Sequence, residues 1–474
     1  MASRARWVLV GMLSALYVSA LAGVVGFAVW ASAKAKRAAV PQQQAVVPLP
    51  RGPLFTREET YAFLDAAKRA EAMADPLQRC LAYPDPPHSH WDRDVVAAYC
   101  RYRNQPIISF AEVQRLVQNG QTAELDRRLA QALHEQETQP GAKGRLDRIF
   151  YADFDNGSFD IRPTLDAWKR QSPNSAFAYA ASGYAYVKMA FAARGDKYIS
   201  DTPQSNIQSM ERLAADADAD LRRAIELNPR VTPAYTAMIH LGGLTLGRDY
   251  ASSAAKRGLA VADDDFGIYD ILMWSEQPKW GGSLAAMDGL VATAQVHARS
   301  NPLLKLLMSE PSLYRADNCE CVGDVELAAY SGALDHLATS GYLLDAGQTA
   351  RDERNPQMMT IYLSEALRFN QDLGDARIER VYDLLEFDEA AWALEEGKRV
   401  VAALPQNEAA LKARGAAYEA TNDYVHAEQD WLAANDLEPD DPWPLAKLGY
   451  MYLGEEHQLD KAGQIADRLV RAHP

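Results

Sequence analysis

AALKARGAAYEATNDYVHAEQDWLAANDLEP, residues 409–439, and PLAKLGYMYLGEEHQLDKAGQIADRLVRAHP, residues 444–474, are two copies of one pattern. Gly415 and Gly449 are 34 residues apart, as are Tyr418 and Tyr452, and Pro405, Pro439 and Pro474 follow at steps of 34 and 35. A repeated unit of this length points to a stacked-repeat architecture, with two helices per unit as the expectation and the apolar face buried only against neighbouring units. The small residues Gly415, Ala427 and Ala434 let the two helices approach, Tyr418 and Trp431 fill the gaps between them, and Pro439 stops the second helix. The fold class expected is all-α.

These copies resemble tetratricopeptide (TPR) repeats. ARIERVYDLLEFDEAAWALEEGKRVVAALP, residues 376–405, opens the regular run, which gives a repeat domain over 374–474. Upstream, over 164–373, the resemblance is irregular. Tyr179, Gly183 and Tyr186 match a first helix, and Ala217, Leu221, Ala224 and Pro229 match a second, with some 22 residues inserted between them. Tyr235, Ala251, Ala255 and Gly258 mark a further unit, weak units follow at 266–302 and 340–373, and an irregular passage lies around 309–324.

The resemblance implies a concave surface lined by the first helix of each pair. By motif position it comprises Ile378, Tyr382 and Leu385, then Lys412, Ala416 and Glu419, then Trp443, Ala446 and Tyr450. The first and third sets are apolar or aromatic, which suits an extended or helical peptide of a protein partner. The same residues would serve equally to pack a preceding helix or the N-terminal segment, and both readings stand at this stage. Repeats that clamp chaperone C-termini require an Asn after the Lys of the first helix, whereas Ala416 follows Lys412 here.

Of the 474 residues, 48% are hydrophobic and 24% charged, the balance of a folded chain, and the formal net charge is −15. Residues 1–51 carry six Lys or Arg and no acid, so the remainder stands at −21. An acidic body of this kind is a poor match for nucleic-acid phosphates, and no nucleic-acid partner is expected.

Trp7 to Ala31 is an uncharged, mainly apolar stretch of 25 residues, long enough to cross a hydrocarbon layer of about 30 Å. Residues 1–37 are therefore read as an N-terminal membrane anchor, a single transmembrane helix. A cleaved signal peptide is the alternative, since Ala31-Ser32-Ala33 has a cleavage form, but signal cores span only about 7–15 residues. Residues 38–54, with their prolines and three consecutive glutamines, read as an extended tether. In the helical region 55–163, Thr56 with Glu59 and Ser109 with Glu112 fit capping boxes, and Thr122 is the expected cap of the next helix. Residues 80–104 and 140–163 read as irregular.

His88 and His90 with Asp92 and Asp94 supply zinc-ligand types, which defines one alternative, a metal-dependent hydrolase. The spacing is no standard motif, and neither a phosphate loop, HExxH nor GxSxG occurs. The expectation is no enzyme, no metal and no cofactor. Cys80 and Cys100 are the pair expected to form a disulfide in an oxidising compartment, with free buried cysteines as the alternative, whereas Cys319 and Cys321 are spaced too tightly for easy mutual pairing and could instead join the other two.

GQTAELDRRLAQAL (120–133), Trp168 with PNSAFAYAASGYAYVKMAFAARG (173–195), and QPKWGGS (277–283) are similar to an uncharacterised bacterial family of unknown function. That resemblance implies no activity. The paired glycines after Lys279 would admit an anion, or would simply permit a tight turn. The function expected is a membrane-anchored interaction scaffold or adaptor in the bacterial envelope. It would be single-pass at the inner membrane, with a periplasmic body and an unidentified protein or peptide as partner. A toxin-neutralising immunity protein is a second form of the same reading.

Overall fold

A computed structural model describes residues 48–197, 201–454 and 458–472. The expected membrane helix, Trp7 to Ala31, lies outside the described residues. Among those described, every regular element is a helix, and none is long and apolar enough to cross a membrane.

Three short helices come first: α1 (Arg57–Glu71), α2 (Pro76–Ala82) and α3 (Arg93–Asn104). Thr56 and Glu59 form the full capping box of α1. Pro76 does not merely end a helix; with Asp75 as cap it occupies the first turn of α2, where its missing N–H costs nothing. Next come α4 (Phe110–Gln118), α5 (Thr122–Thr138), α6 (Arg145–Asp153) and α7 (Arg162–Gln171). The passages read as irregular thus contain α3 and α6. Thr122 is not a cap but the first, buried residue of α5. Gly120 ends α4 in the left-handed region at φ 70°, and the Gln121 N–H returns to the Leu116 carbonyl, so Gln121 takes the cap position.

In the long hairpin α8 (Ala176–Arg194) and α9 (Gln204–Leu227), part of the 22-residue insertion lengthens the two helices. Helix α8 is alanine-rich and buried on almost every side, as befits the centre of a helical layer. Then follow α10 (Thr232–Leu241), α11 (Arg248–Leu259), α12 (Phe266–Ser275), α13 (Leu284–His297), α14 (Glu310–Asp317) and α15 (Asp324–Ala333). One apolar core runs from Ile108 to Ile271 and joins α4 through α12.

From residue 340 the architecture is regular. The hairpins are α16 (Ser340–Asp352) with α17 (Pro356–Phe369), α18 (Gly374–Glu386) with α19 (Ala390–Ala403), α20 (Glu408–Ala420) with α21 (Tyr424–Leu437), and α22 (Trp443–Gly454) with α23 (Leu459–Ala472). First and second helices alike begin at steps of 34, 34 and 35 residues. Each hairpin packs on the next. The backbone carries the same period: Glu320, Arg354, Asp388 and Asn422, each 34 after the last, hold positive φ of 52°, 57°, 62° and 60°. At the last three of these turns the N–H of Asn355, Glu389 and Asp423 donates to the carbonyl of Ala350, Leu384 and Tyr418, satisfying a helix end. The register therefore extends upstream to residue 340, and one turn of it reaches Glu320 in the passage read as irregular.

Helices α1–α3 do not stack on α4. They return to the repeats and lie against α17, with side-chain bonds to α18 and α19. Ahead of α1, residues 48–56 form no regular element, and the chain there is pinned to α15. Gly52 N–H donates to Ala328 O at 2.8 Å, and Ser331 Oγ donates to Pro53 O at 2.7 Å. Gly52 and Gly332 make this possible, since a Cβ on either would come within 2.6 Å of the backbone of the other segment.

Candidate functional site

Three places on this scaffold carry chemistry: the first-helix face of the last repeats, the junction of α1–α3 with the repeats, and a central cavity.

On the first-helix face, Ile378 is 7% exposed and belongs to the packing. Tyr382 and Leu385 are half-buried. Lys412 is held by Glu408 and by Asp441 at 2.9 Å, and Glu419 faces Lys447 at 3.4 Å. Ion pairs thus occupy the middle set. Trp443, 36% exposed, stands edge-on to the buried Trp431 at 4.9 Å, with the Lys412 and Lys447 ammonium groups 5.4 and 5.9 Å from its ring. Tyr450 is 71% exposed. Only the third set, Trp443 with Tyr450, therefore presents substantial aromatic surface.

At the junction, Glu71 meets two guanidinium groups and two hydrogen-bond donors. Arg380 meets it at 2.7 Å and Arg399 at 3.8 Å. Tyr83 Oη donates at 3.1 Å and Trp392 Nε1 at 3.2 Å. Arg380, 1% exposed, also lies 4.6 Å from the Trp392 ring. Nearby, Arg368 donates to Cys80 O at 2.8 Å and pairs with Asp85 at 2.8 Å and Glu365 at 3.1 Å. Burial pushes the Glu365 carboxyl up to about 8 despite Arg368. Cys80 and Cys100 are joined, which ties α2 to α3 with a Cα separation of 5.7 Å.

Cys319 and Cys321 are joined as well, contrary to the spacing argument. Glu320 between them adopts a left-handed conformation, and the resulting turn brings their Cα atoms to 5.1 Å, inside the range a disulfide spans.

The histidines of the hydrolase alternative are not brought together as ligands. His88 Nε2 bonds Glu59 at 2.6 Å, and His90 Nδ1 bonds Asp335 at 2.6 Å, fastening the loop to α1 and to the turn after α15. Among the described residues no group of three or more His, Cys, Asp or Glu is placed to hold a metal ion. In QPKWGGS, Gly281 is left-handed at φ 85° and Gly282 passes against the Glu276 carbonyl. Trp280, half-buried, packs on Trp274 at 4.7 Å. The glycines make the tight turn that leads to the Ser283 cap of α13.

The cavity was not legible in advance. It measures about 320 Å³ and takes its walls from α3, α6, α8, α10, α12, α14 and α16. Asp147, Asp155, Asp270 and Glu310 line it beside Tyr102, Tyr184, Phe266 and Trp274. Burial raises the Asp270 carboxyl to about 6, and burial with the neighbouring Asp270 charge holds Glu310 well above the ordinary carboxylate range. His240 is driven the other way, to about 3, by burial and by the Lys188 charge, and stays neutral. These residues come from seven helices spread over 240 positions of sequence, and no local spacing announces such a set.

Fold and sites together define a helical-hairpin repeat protein of TPR-like build. No protein-family model matches the chain, and no curated protein matches it. Among solved structures it is similar to one described as a functional characterization of Pseudomonas aeruginosa PilF. That structure is 13% identical, and the match covers 56% of this chain and 95% of that chain at a TM-score of 0.28. It is also similar to the TPR domain of P58(IPK), 13% identical over 75% of this chain and 96% of that chain, at a TM-score of 0.22. Superpositions this loose leave the repeat assignment to the chain's own spacing of helices and turns.

Proposed function

We propose that this protein is a protein-interaction scaffold of the bacterial envelope, held at the inner membrane by residues 7–31 with its body in the periplasm. The observation that carries the reading is the aromatic pair Trp443 and Tyr450, exposed on the first helix of the last hairpin. Aromatic side chains left at a repeat surface supply much contact area for little entropy and are the usual anchors of a bound peptide. The Cys80–Cys100 bond supports an oxidising compartment.

A photo-crosslinking residue placed at Tyr450 in native membranes should capture a protein that the same residue at buried Tyr235 does not. A folded Trp443→Ala/Tyr450→Ala variant should lose that partner on pulldown. Retention of the partner by the double variant would refute the proposal. A phosphatase reporter fused after residue 54 should be active on the periplasmic assignment and silent if the body stays inside.

A further inference from the structure

We propose that the cavity among α3, α6, α8, α12 and α14 binds an organic cation, a primary ammonium or a guanidinium, paired by its carboxylates and enclosed by its aromatic rings. This goes beyond the scaffold reading and shares no residue with the Trp443–Tyr450 face.

The first argument is hydrogen bonding. Glu310 is 3% exposed and Gln277 6%; both line the cavity, and each keeps a buried oxygen, Oε1, without a donor. Asp155 Oδ1 is in the same state. A buried acceptor without a donor costs about 1–3 kcal/mol, and three of them belong to residues of this one cavity. Tyr342 Oη donates at 3.1 Å to the other Glu310 oxygen, Oε2, which orients the carboxylate and leaves Oε1 without a partner.

The second is charge. Four carboxyl groups face a single ammonium, Lys188, already 3.0 Å from Asp155. The strongest charge on Glu310 is that of Asp270, which repels it. Water can donate to these oxygens but cannot balance them, whereas a cation does both. The third is the nature of the walls. Aromatic faces attract organic cations, and neutral His240 adds no opposing charge. A metal ion is the wrong occupant, because among the described residues no ligand cluster is gathered for one. At about 320 Å³ the space suits a side-chain-sized ligand, at the low end of small-molecule sites.

Calorimetric titration of the full-length protein tests this with n-butylammonium, n-butylguanidinium, n-pentanol as the neutral control, and an acetylated Gly-Lys-Gly amide. At least one cation should bind saturably at millimolar concentration while the alcohol does not. Glu310→Gln should weaken binding about tenfold, a loss of about 1.4 kcal/mol. Lys188→Met, which removes the competing ammonium, should tighten it, a gain that no merely structural role predicts. Binding of the free amines identifies a small-molecule cation, and binding of the peptide alone identifies a partner's lysine; either supports the site. Absence of binding by protein whose circular dichroism and melting are intact overturns it. So does an affinity unchanged in both variants. Neither result bears on crosslinking at Tyr450.

Discussion

The Glu71 carboxylate and the Arg380 guanidinium meet at 2.7 Å, with Arg380 1% exposed, and their contact joins the end of α1 to the second of the four regular hairpins. Removing one partner of a buried pair leaves the other charge stranded, at a cost of about 3–5 kcal/mol. Glu71→Ala should therefore lower the urea midpoint strongly. Arg399, whose side chain is 52% exposed, should tolerate alanine at a cost under about 1 kcal/mol. Equal effects from the two substitutions would mean that Glu71 acts through something other than Arg380.

The Cys80–Cys100 bond closes a loop of 20 residues, for which chain-entropy arguments give about 3 kcal/mol. The double variant Cys80→Ala/Cys100→Ala should lose about that much in equilibrium unfolding, and reductant should then have little further effect on this region. Loss of protection should appear first in α2 and α3 by hydrogen exchange.

The cavity carboxyls make stability depend on pH in a definite direction. Asp270, at about 6 in the fold against about 3.9 unfolded, favours the native state fully below about pH 4 and loses that contribution as pH rises through 6. Around it stand Asp147, Asp155, Glu310, Lys188, His240 and the phenols of Tyr102, Tyr151, Tyr184 and Tyr342; Glu310, also raised, acts in the same sense. Asp270→Asn should stabilise by up to about 3 kcal/mol near pH 7.5 and by nothing near pH 4. Denaturant titrations at the two pH values check both signs.

Trp431 and Tyr450 separate folding from recognition. Trp431 is fully buried against Gly415, so Trp431→Ala should cost about 3–5 kcal/mol. Tyr450→Ala, at an exposed position, should stay within about 0.5 kcal/mol while altering partner capture.

The left-handed turn residues offer a gain. Arg354 pays the steric penalty of positive φ, and Arg354→Gly should stabilise by about 0.5–1 kcal/mol. Asn422→Gly should gain less, because asparagine tolerates that conformation. Thermal melts of the two variants would show the ranking.

The repeat was legible where its signal is local. Gly415 against Trp431 and Pro439 after α21 are contacts within one hairpin, and periodicity reports those directly. The hairpin at 340 was harder to read, because its period resides in turn torsions at Arg354 and Asp388 rather than in a motif residue. Helices α3 and α6 were missed for another reason: flanking prolines and glycines suggested loops, while the burial of Tyr99 and Phe150 that stabilises these helices is tertiary. Of the proposed surface, Trp443 and Tyr450 lie exposed and Ile378 does not, a difference set by neighbours in space. The cavity depends wholly on long-range assembly, since Tyr102, Glu310 and Tyr342 meet only in the finished fold.

A stacked-hairpin chain can in principle acquire structure in the order in which it is synthesised, each unit resting on the one before. Docking of α1–α3 on α17–α19 breaks that order. Trp91 must find the Leu334 carbonyl, Tyr99 must find Ser340, and Glu71 must find Arg380, so the first helices made are among the last to be seated. Until nearly four hundred residues have emerged, Trp91, Tyr99 and Phe63 have no core to enter. During that interval the aromatic surface of α1–α3 has nothing to cover it.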